Sequence, residues 1–387
     1  LATRRTVFLV NLTLSFFFLL NAVAISAGLS IYPIDAPVLF TTAALGNLLW
    51  LLLPSIFRRK SSPFLRTARA VLAPCWVLWT LLIFLYSVFI LSVKLLWSVT
   101  AKWGGVSFPD FAHHPSNVFL GALAFICLVG AVQALFLTSV VKVPLKVKGL
   151  PPAFSGFKIA MVSDLHVGTF TRLSRLRGFS RAAQAQSPDL FLVCGDITDD
   201  DPHYLPKFLQ GLEALDPYLP VYGVLGNHDV YADPIRTLNI LQDSRLRVLV
   251  NEGLEIKKNG STIWLAGVGD QGARRIGKWG SIAPDFDKAL EGKPEGVVTV
   301  LMAHQPMGFR EAIQRKVEVT LSGHTHGGQF GLKALKWSLA KVFMEHHMGL
   351  FKEGDSQLYV SVGTGFWVLP VRFGLNPEIT LLELQPA

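Results

Sequence analysis

The side chains in this sequence that could do chemistry fall in five short blocks. The second of them, Cys194-Gly195-Asp196-Ile197-Thr198-Asp199, follows an apolar run at 190–193 that reads as a buried strand. Gly195 allows a sharp turn, so Asp196 is delivered at the strand end and Asp199 one turn further on. An unpaired carboxylate is unfavourable beside an apolar strand, and a metal cation is one effective way to keep it ionised. The bland alternative is that Asp196 caps a following helix.

The other four blocks have the same design. An apolar strand at 157–162 ends in Ser163-Asp164-Leu165-His166, whose alternation sends Asp164 and His166 to one side. Carboxylate and imidazole together suit Mn, Fe or Zn; an Asp–His hydrogen bond in a loop is the alternative. The strand at 221–225 ends in Gly226-Asn227-His228-Asp229, with a neutral oxygen on Asn227 and a proton donor on His228. The strand at 297–302 leads to His304, and that at 317–321 to Gly323-His324-Thr325-His326-Gly327-Gly328. The His-x-His spacing points both rings one way if locally extended. Asp270, after a strand at 263–268, faces the same rim but is a weak candidate ligand. Strand ends are where sites assemble in α/β folds, so five such blocks in succession point to a metal site.

These blocks must be positioned by strands alternating with helices, expected at 173–186 and near 204–215. Arg172, Arg175, Arg177 and Arg181 read as a solvated helix face. Residues 143–155, with Pro144, Pro151 and Pro152 among lysines, read as an extended linker or edge strand. The expected organisation is a transmembrane domain at 1–141, a linker at 142–156 and an α/β domain at 157–387.

In their order, Asp164-x-His166, Gly195-Asp196-x-x-Asp199, Gly226-Asn227-His228-Asp229, His304 and Gly323-His324-x-His326 resemble the calcineurin-like metallophosphoesterase superfamily. Gly323 to Gln329, with the late Pro370-Val371-Arg372-Phe373-Gly374 and Pro377-Glu378-Ile379, resemble a membrane-attached branch of it. The resemblance implies a two-sheet β-sandwich flanked by helices and two divalent metal ions. It assigns Asp164, His166, Asp196 and His326 to one ion, and Asp196, Asn227, His304 and His324 to the other. It places His228 against the phosphoryl group, with Asp199 as its orienting partner. Asp200-Asp201 stand where protein Ser/Thr phosphatases carry Arg-Gly, which speaks against a protein-phosphatase reading.

Composition supports a membrane attachment. The 387 residues are 51% hydrophobic and 16% charged, too apolar for one soluble domain and too charged for a pure membrane bundle. Of the net charge of +9, residues 1–141 contribute nine bases against two acids. Apolar stretches at 7–29, 37–57, 70–96 and 117–141 each reach the ~20 residues that cross a bilayer. The basic excess therefore belongs to membrane flanks, and no nucleic-acid partner is expected. Loop charges put the N-terminus, the loop at 57–69 and the C-terminal domain in the cytoplasm. Arg4-Arg5 is read as a basic flank rather than an export signal. Cys75, Cys127 and Cys194 imply no disulfide framework.

Residues 333–351, with His346 and His347, read as an amphipathic helix covering the sandwich edge, the alternative being a cap that dips into the membrane. Arg372 is expected either on substrate phosphate or paired with Glu378. The resulting expectation is a membrane-anchored phosphodiesterase whose partners are membrane lipids and a phosphodiester, lipid-linked first and nucleotide-type second. The rival class is a membrane sensor or scaffold that binds without turnover.

Overall fold

The computed structural model describes Ser92 and residues 113–387, except Asp200 and Lys278. The chain divides after Leu128, and the unit Val129–Ala387 carries all that follows. In chain order its strands are β1 (Ser139–Val147), β2 (Lys158–Val162), β3 (Leu190–Cys194), β4 (Val221–Val224), β5 (Leu246–Val248), β6 (Glu252–Lys258) and β7 (Ser261–Gly267). They continue as β8 (Thr299–Met302), β9 (Val319–Ser322), β10 (Gly331–Leu332), β11 (Trp337–Ser338), β12 (Gly349–Glu353), β13 (Ser356–Val360) and β14 (Glu378–Pro386).

Among the described residues these build two six-stranded mixed sheets, ordered β1-β14-β2-β3-β4-β5 and β12-β13-β9-β8-β7-β6, and the hairpin β10-β11. Strand alternation explains how the sheets stack. Ile159 and Met161 of β2 join Leu190 and Leu192 of β3 in a core shared with Leu265, Val300, Met302 and Leu321 of the other sheet. The intervening Ala160, Val162, Phe191 and Val193 face outward onto helices Leu173–Gln184 and Leu205–Leu212. The second sheet is covered in the same way by Phe286, Phe309 and Ala312. With both faces buried, the central strands are near-continuous apolar runs, and each fully buried large side chain contributes roughly 1.5–3 kcal/mol.

Ser139–Val147 pairs in parallel with β14 along its whole length, so the edge-strand alternative holds for the first residues of the expected linker, and the strand begins inside the segment expected at 1–141. The expected spans at 7–29, 37–57 and 70–96 lie, apart from Ser92, outside the described residues. The fourth, 117–141, coincides with helix His113–Phe136 and runs into β1. Its last turns pack on protein: Gly130 O accepts from Arg372 N, Ala134 O accepts from Arg175, and Gln133 donates to Asn376. Arg175 is therefore not a solvated arginine; it caps that helix end, and burial lowers its pKa to about 10. No helix among the described residues is long and apolar enough to cross a membrane.

The expected helix at 333–351 is absent. The segment folds as the β10-β11 hairpin and two short 3-10 turns, Lys333–Leu335 and Leu339–Val342. Lys336 takes φ +47°, which breaks any helical run between them.

Candidate metal centre

Each chemical block lies where a strand stops. Asp164 and His166 follow β2, Asp196 and Asp199 follow β3, and Asn227 and His228 open the short helix after β4. His304 follows β8, and His324 and His326 follow β9. Because β2, β3 and β4 are parallel neighbours in one sheet and β8 and β9 in the other, all five blocks emerge at one end of the sandwich.

The chain must turn sharply to aim them. Asp164, His166, Asp196, His324 and His326 all adopt left-handed backbone, with φ between +43° and +71°. Such conformations cost L-residues of order 1–3 kcal/mol each and persist only where the surroundings over-determine them. Here the surroundings do. Asp164 N donates to Gly195 O at 3.0 Å, His166 N to Asp196 O at 3.1 Å, and His324 N to Asp164 Oδ1 at 2.8 Å. Gly226 approaches so closely that a Cβ there would meet Asp196 Oδ1 and N.

Single donor atoms of Asp164, His166 and His326 lie within 4.8 Å of one another, as do those of Asp196, His304 and His324. Asp196 stands between the two groups. Its Oδ2 is 3.1 Å from His304 Nε2 and 3.7 Å from His166 Nε2, while Oδ1 accepts from His228 N at 2.8 Å. His166 Nε2 and His326 Nε2 are 3.0 Å apart, and His326 Nε2 is 3.5 Å from Asp164 Oδ1. Asp164, Asp196, His304 and His326 are all buried.

The donor set fits cations. Cys194 O can only accept, so His304 Nδ1, 2.8 Å away, is the donor. In the neutral ring this leaves the Nε2 lone pair aimed at the Asp196 carboxylate, and His304 Nε2 has no hydrogen-bond partner. Asn227 Oδ1 is likewise buried without a partner. Acceptors turned toward one another in a dry site are costly unless a cation lies among them. Electrostatics agree. Burial disfavours a charged His304, yet Asp196, Asp164 and Asp270 hold its pKa well above the usual value, so the pocket draws positive charge. Burial, then His304 and Arg275, push His324 down to about 3, leaving it a neutral ring. His326 is held low by burial, His166 and Arg372.

His228 is half-buried at the mouth of this cluster, edge-on to His166 at 4.7 Å between ring centroids. Tyr231 and Trp367 flank it at 6.0 and 6.2 Å. The Asp199 carboxylate stands behind His166, its Oδ1 3.6 Å from Nδ1. Asp270 is engaged as a helix cap, accepting from Gly272 N at 2.6 Å and from Gln305 Nε2 at 2.9 Å. Arg372 meets neither expectation. It is fully buried, donates to Gly365 O and Val362 O, and places Nη2 3.2 Å from His326 Nδ1. Glu378 pairs instead with Lys333 and accepts from Tyr359.

Two residues carry more than the sequence signals. Asp229 is buried and accepts from Ile197 N, Thr198 N and Gly226 N, tying the second block to the third. Burial and the neighbouring Asp196 raise its pKa to about 6. The charge of the exposed Arg275 helps hold the His324 pKa low. Only the position of Arg275 shortly after the strand end at Asp270 could have flagged it.

Residues 157–328 match the family model for calcineurin-like phosphoesterase. The chain is 33% identical over 271 residues to a bovine (Bos taurus) protein named transmembrane protein with metallophosphoesterase domain, covering 67% of this chain and 60% of that protein. A zebrafish (Danio rerio) protein of the same name is 31% identical over 272 residues, 68% of this chain and 61% of its own length. An uncharacterized metallophosphoesterase of Helicobacter pylori is 34% identical over 231 residues, 59% of this chain and 60% of that protein. The chain thus spans about 60% of the length of these relatives. With strand-end Asp, Asn and His residues gathered at one end of a two-sheet sandwich, residues 157–328 form a domain that matches the calcineurin-like phosphoesterase family.

Proposed function

We propose that this protein is a membrane-anchored phosphoesterase dependent on two divalent metal ions, and that it cleaves a phosphodiester, foremost a phospholipid or lipid-linked one. The observation that carries the metal half is Asp196, one of whose oxygens faces both His166 and His304. Asp164, His166, Asp196 and His326 would hold one cation, and Asp196, Asn227, His304 and His324 the other. Oxygen and imidazole donors suit Mn, Fe or Zn. When bound, such a pair supplies Lewis acidity toward a phosphoryl group and acidifies water.

The chain's own residues do the rest. His228 is delivered beside the pair by its backbone bond to Asp196 and stays half-exposed, so its ring can give a proton to the leaving alkoxide. Asp199, expected to orient His228, stands against His166, whose ring is edge-on to His228. Arg275 adds a cation at the rim, on the His324 side. The membrane half rests on the apolar stretches before residue 142 and on relatives named as transmembrane proteins. In this reading the apolar stretches ahead of β1 form the anchor, and the charge alternation of their loops sets the catalytic unit on the cytoplasmic side.

The test is hydrolysis of a bis-aryl and a mono-aryl phosphate by the full chain, with Mn²⁺ and with chelator, beside His228→Ala. Metal-dependent turnover of the diester, reduced roughly 10²–10⁴-fold in His228→Ala at unchanged metal content, is expected. Equal turnover by the variant would remove His228 from the chemistry, and no metal-dependent turnover of either ester would favour a binding module.

A further inference from the structure

We propose that the segment from Gly331 to Phe343 is a docking surface for an anionic lipid bilayer, placing the mouth of the metal site at the membrane interface. This rests on the phosphoesterase reading for its consequence, not for its evidence. Leu332, Leu335, Trp337, Leu339, Val342 and Phe343 are all exposed, Leu335 at 71% and Phe343 at 81%. Six large apolar side chains in twelve residues are a patch, not scattered surface hydrophobics. Lys336 and Lys341 are exposed among them, Lys333 being paired with Glu378, and no acidic residue occurs between Gly331 and Met344. Apolar side chains ringed by lysines match a bilayer, where the former enter the acyl boundary and the latter meet anionic headgroups. A protein partner's apolar core would match the first and not the second.

The surface is bolted to the site. Thr325, between His324 and His326, donates from Oγ1 to His347 O at 2.7 Å, and His347 Nε2 is 3.3 Å from Lys336 O. Leu339 N donates to Phe330 O, and Gly331 N to Phe373 O. Gln329 exchanges hydrogen bonds with the Trp367 backbone, and Trp367 is half-exposed beside His228. The apolar face extends further: Gly374 N donates to Gln133, whose helix exposes Val132 and Phe136. That helix coincides with most of the apolar stretch at 117–141. A lipid phosphodiester would then reach His228 without leaving the interface.

The experiment places a nitroxide at Phe343→Cys in a Cys75→Ser, Cys127→Ser background of the full chain; Cys194 is buried and does not react. A second carrier, Tyr218→Cys, lies 93% exposed ahead of β4, at the end of the sheet away from the site. Collision with oxygen and with a water-soluble nickel chelate is read in phosphatidylcholine vesicles, with and without phosphatidylglycerol. The expected shift is toward oxygen and away from the chelate at 343 when phosphatidylglycerol is present, with Tyr218→Cys staying in water. Lys336→Glu with Lys341→Glu should return the 343 label to water; an unchanged depth would overturn the role of the headgroups. A 343 label in water in both vesicles overturns the proposal. So does shielding from both reagents that persists in detergent without lipid, which would mean cover by residues 1–112 or a second copy. None of these readouts needs turnover, so failure of the enzyme reading would appear separately, in the aryl phosphate assay.

Discussion

Asp196 is the residue on which the centre turns, because it faces imidazoles of both donor groups while also receiving a backbone N–H from the His228 turn. Asp196→Asn keeps the shape and removes the charge. The expected outcome is loss of bound metal by elemental analysis together with loss of turnover; a variant keeping both would show that the carboxylate does not bridge. Asp229 acts at one remove. It accepts three backbone N–H bonds from two loops that carry donors. Asp229→Ala leaves those N–H groups buried and unpaired, and a loss of about 2–4 kcal/mol in denaturant titration is expected. Metal affinity should fall roughly 10–100-fold, as for other groups that orient ligands. A variant with wild-type metal affinity would reduce Asp229 to a purely structural residue. The Asp, Asn and His donors were legible because their types and order are specific. The work of Arg372 was not, because neither its type nor its spacing says that Gly365 O, Val362 O and His326 would surround it.

At the scale of elements, the strand-end loops hold the donors by close backbone approach. Gly226 precedes the Asn227–Ala232 helix, and a side chain there would land on Asp196. Gly226→Ala is therefore expected to lose metal and melt lower. Gly178→Ala, inside the Leu173–Gln184 helix with open space around its Cβ, should be neutral or stabilise by roughly 0.5–1 kcal/mol. Equal behaviour of the two variants in metal content and thermal melts would show that Gly226 is not a contact constraint. The central strands were readable since each is an apolar run closed by a polar block. The helix expected at 333–351 does not form, because apolar residues at mixed spacing, Trp337, Leu339, Val342, Phe343 and Met344, only mimic amphipathic periodicity. Turns at Lys333–Leu335 and Leu339–Val342, tied to Phe330 and Phe373, overrode it.

Across the whole molecule, the metal centre joins the two sheets, since Asp164, Asp196 and Asn227 come from one and His304, His324 and His326 from the other. Cations bound there stabilise only the folded chain. Exhaustive chelation should lower the unfolding temperature, and readdition of Mn²⁺ at a hundredfold over its Kd should restore about 2.7 kcal/mol for each site filled. A melting temperature indifferent to metal would argue that the donors are not a resident metal site. The sequence by itself determined the donor residues, the strands that deliver them and the family they resemble, because local pattern and residue chemistry suffice for these. Only the tertiary structure decided that β1 closes the first sheet against β14, that Arg372 is buried and that the 331–343 hairpin stands exposed beside the site. Those outcomes depend on pairings and burial between residues far apart in the chain, which no local window of sequence encodes.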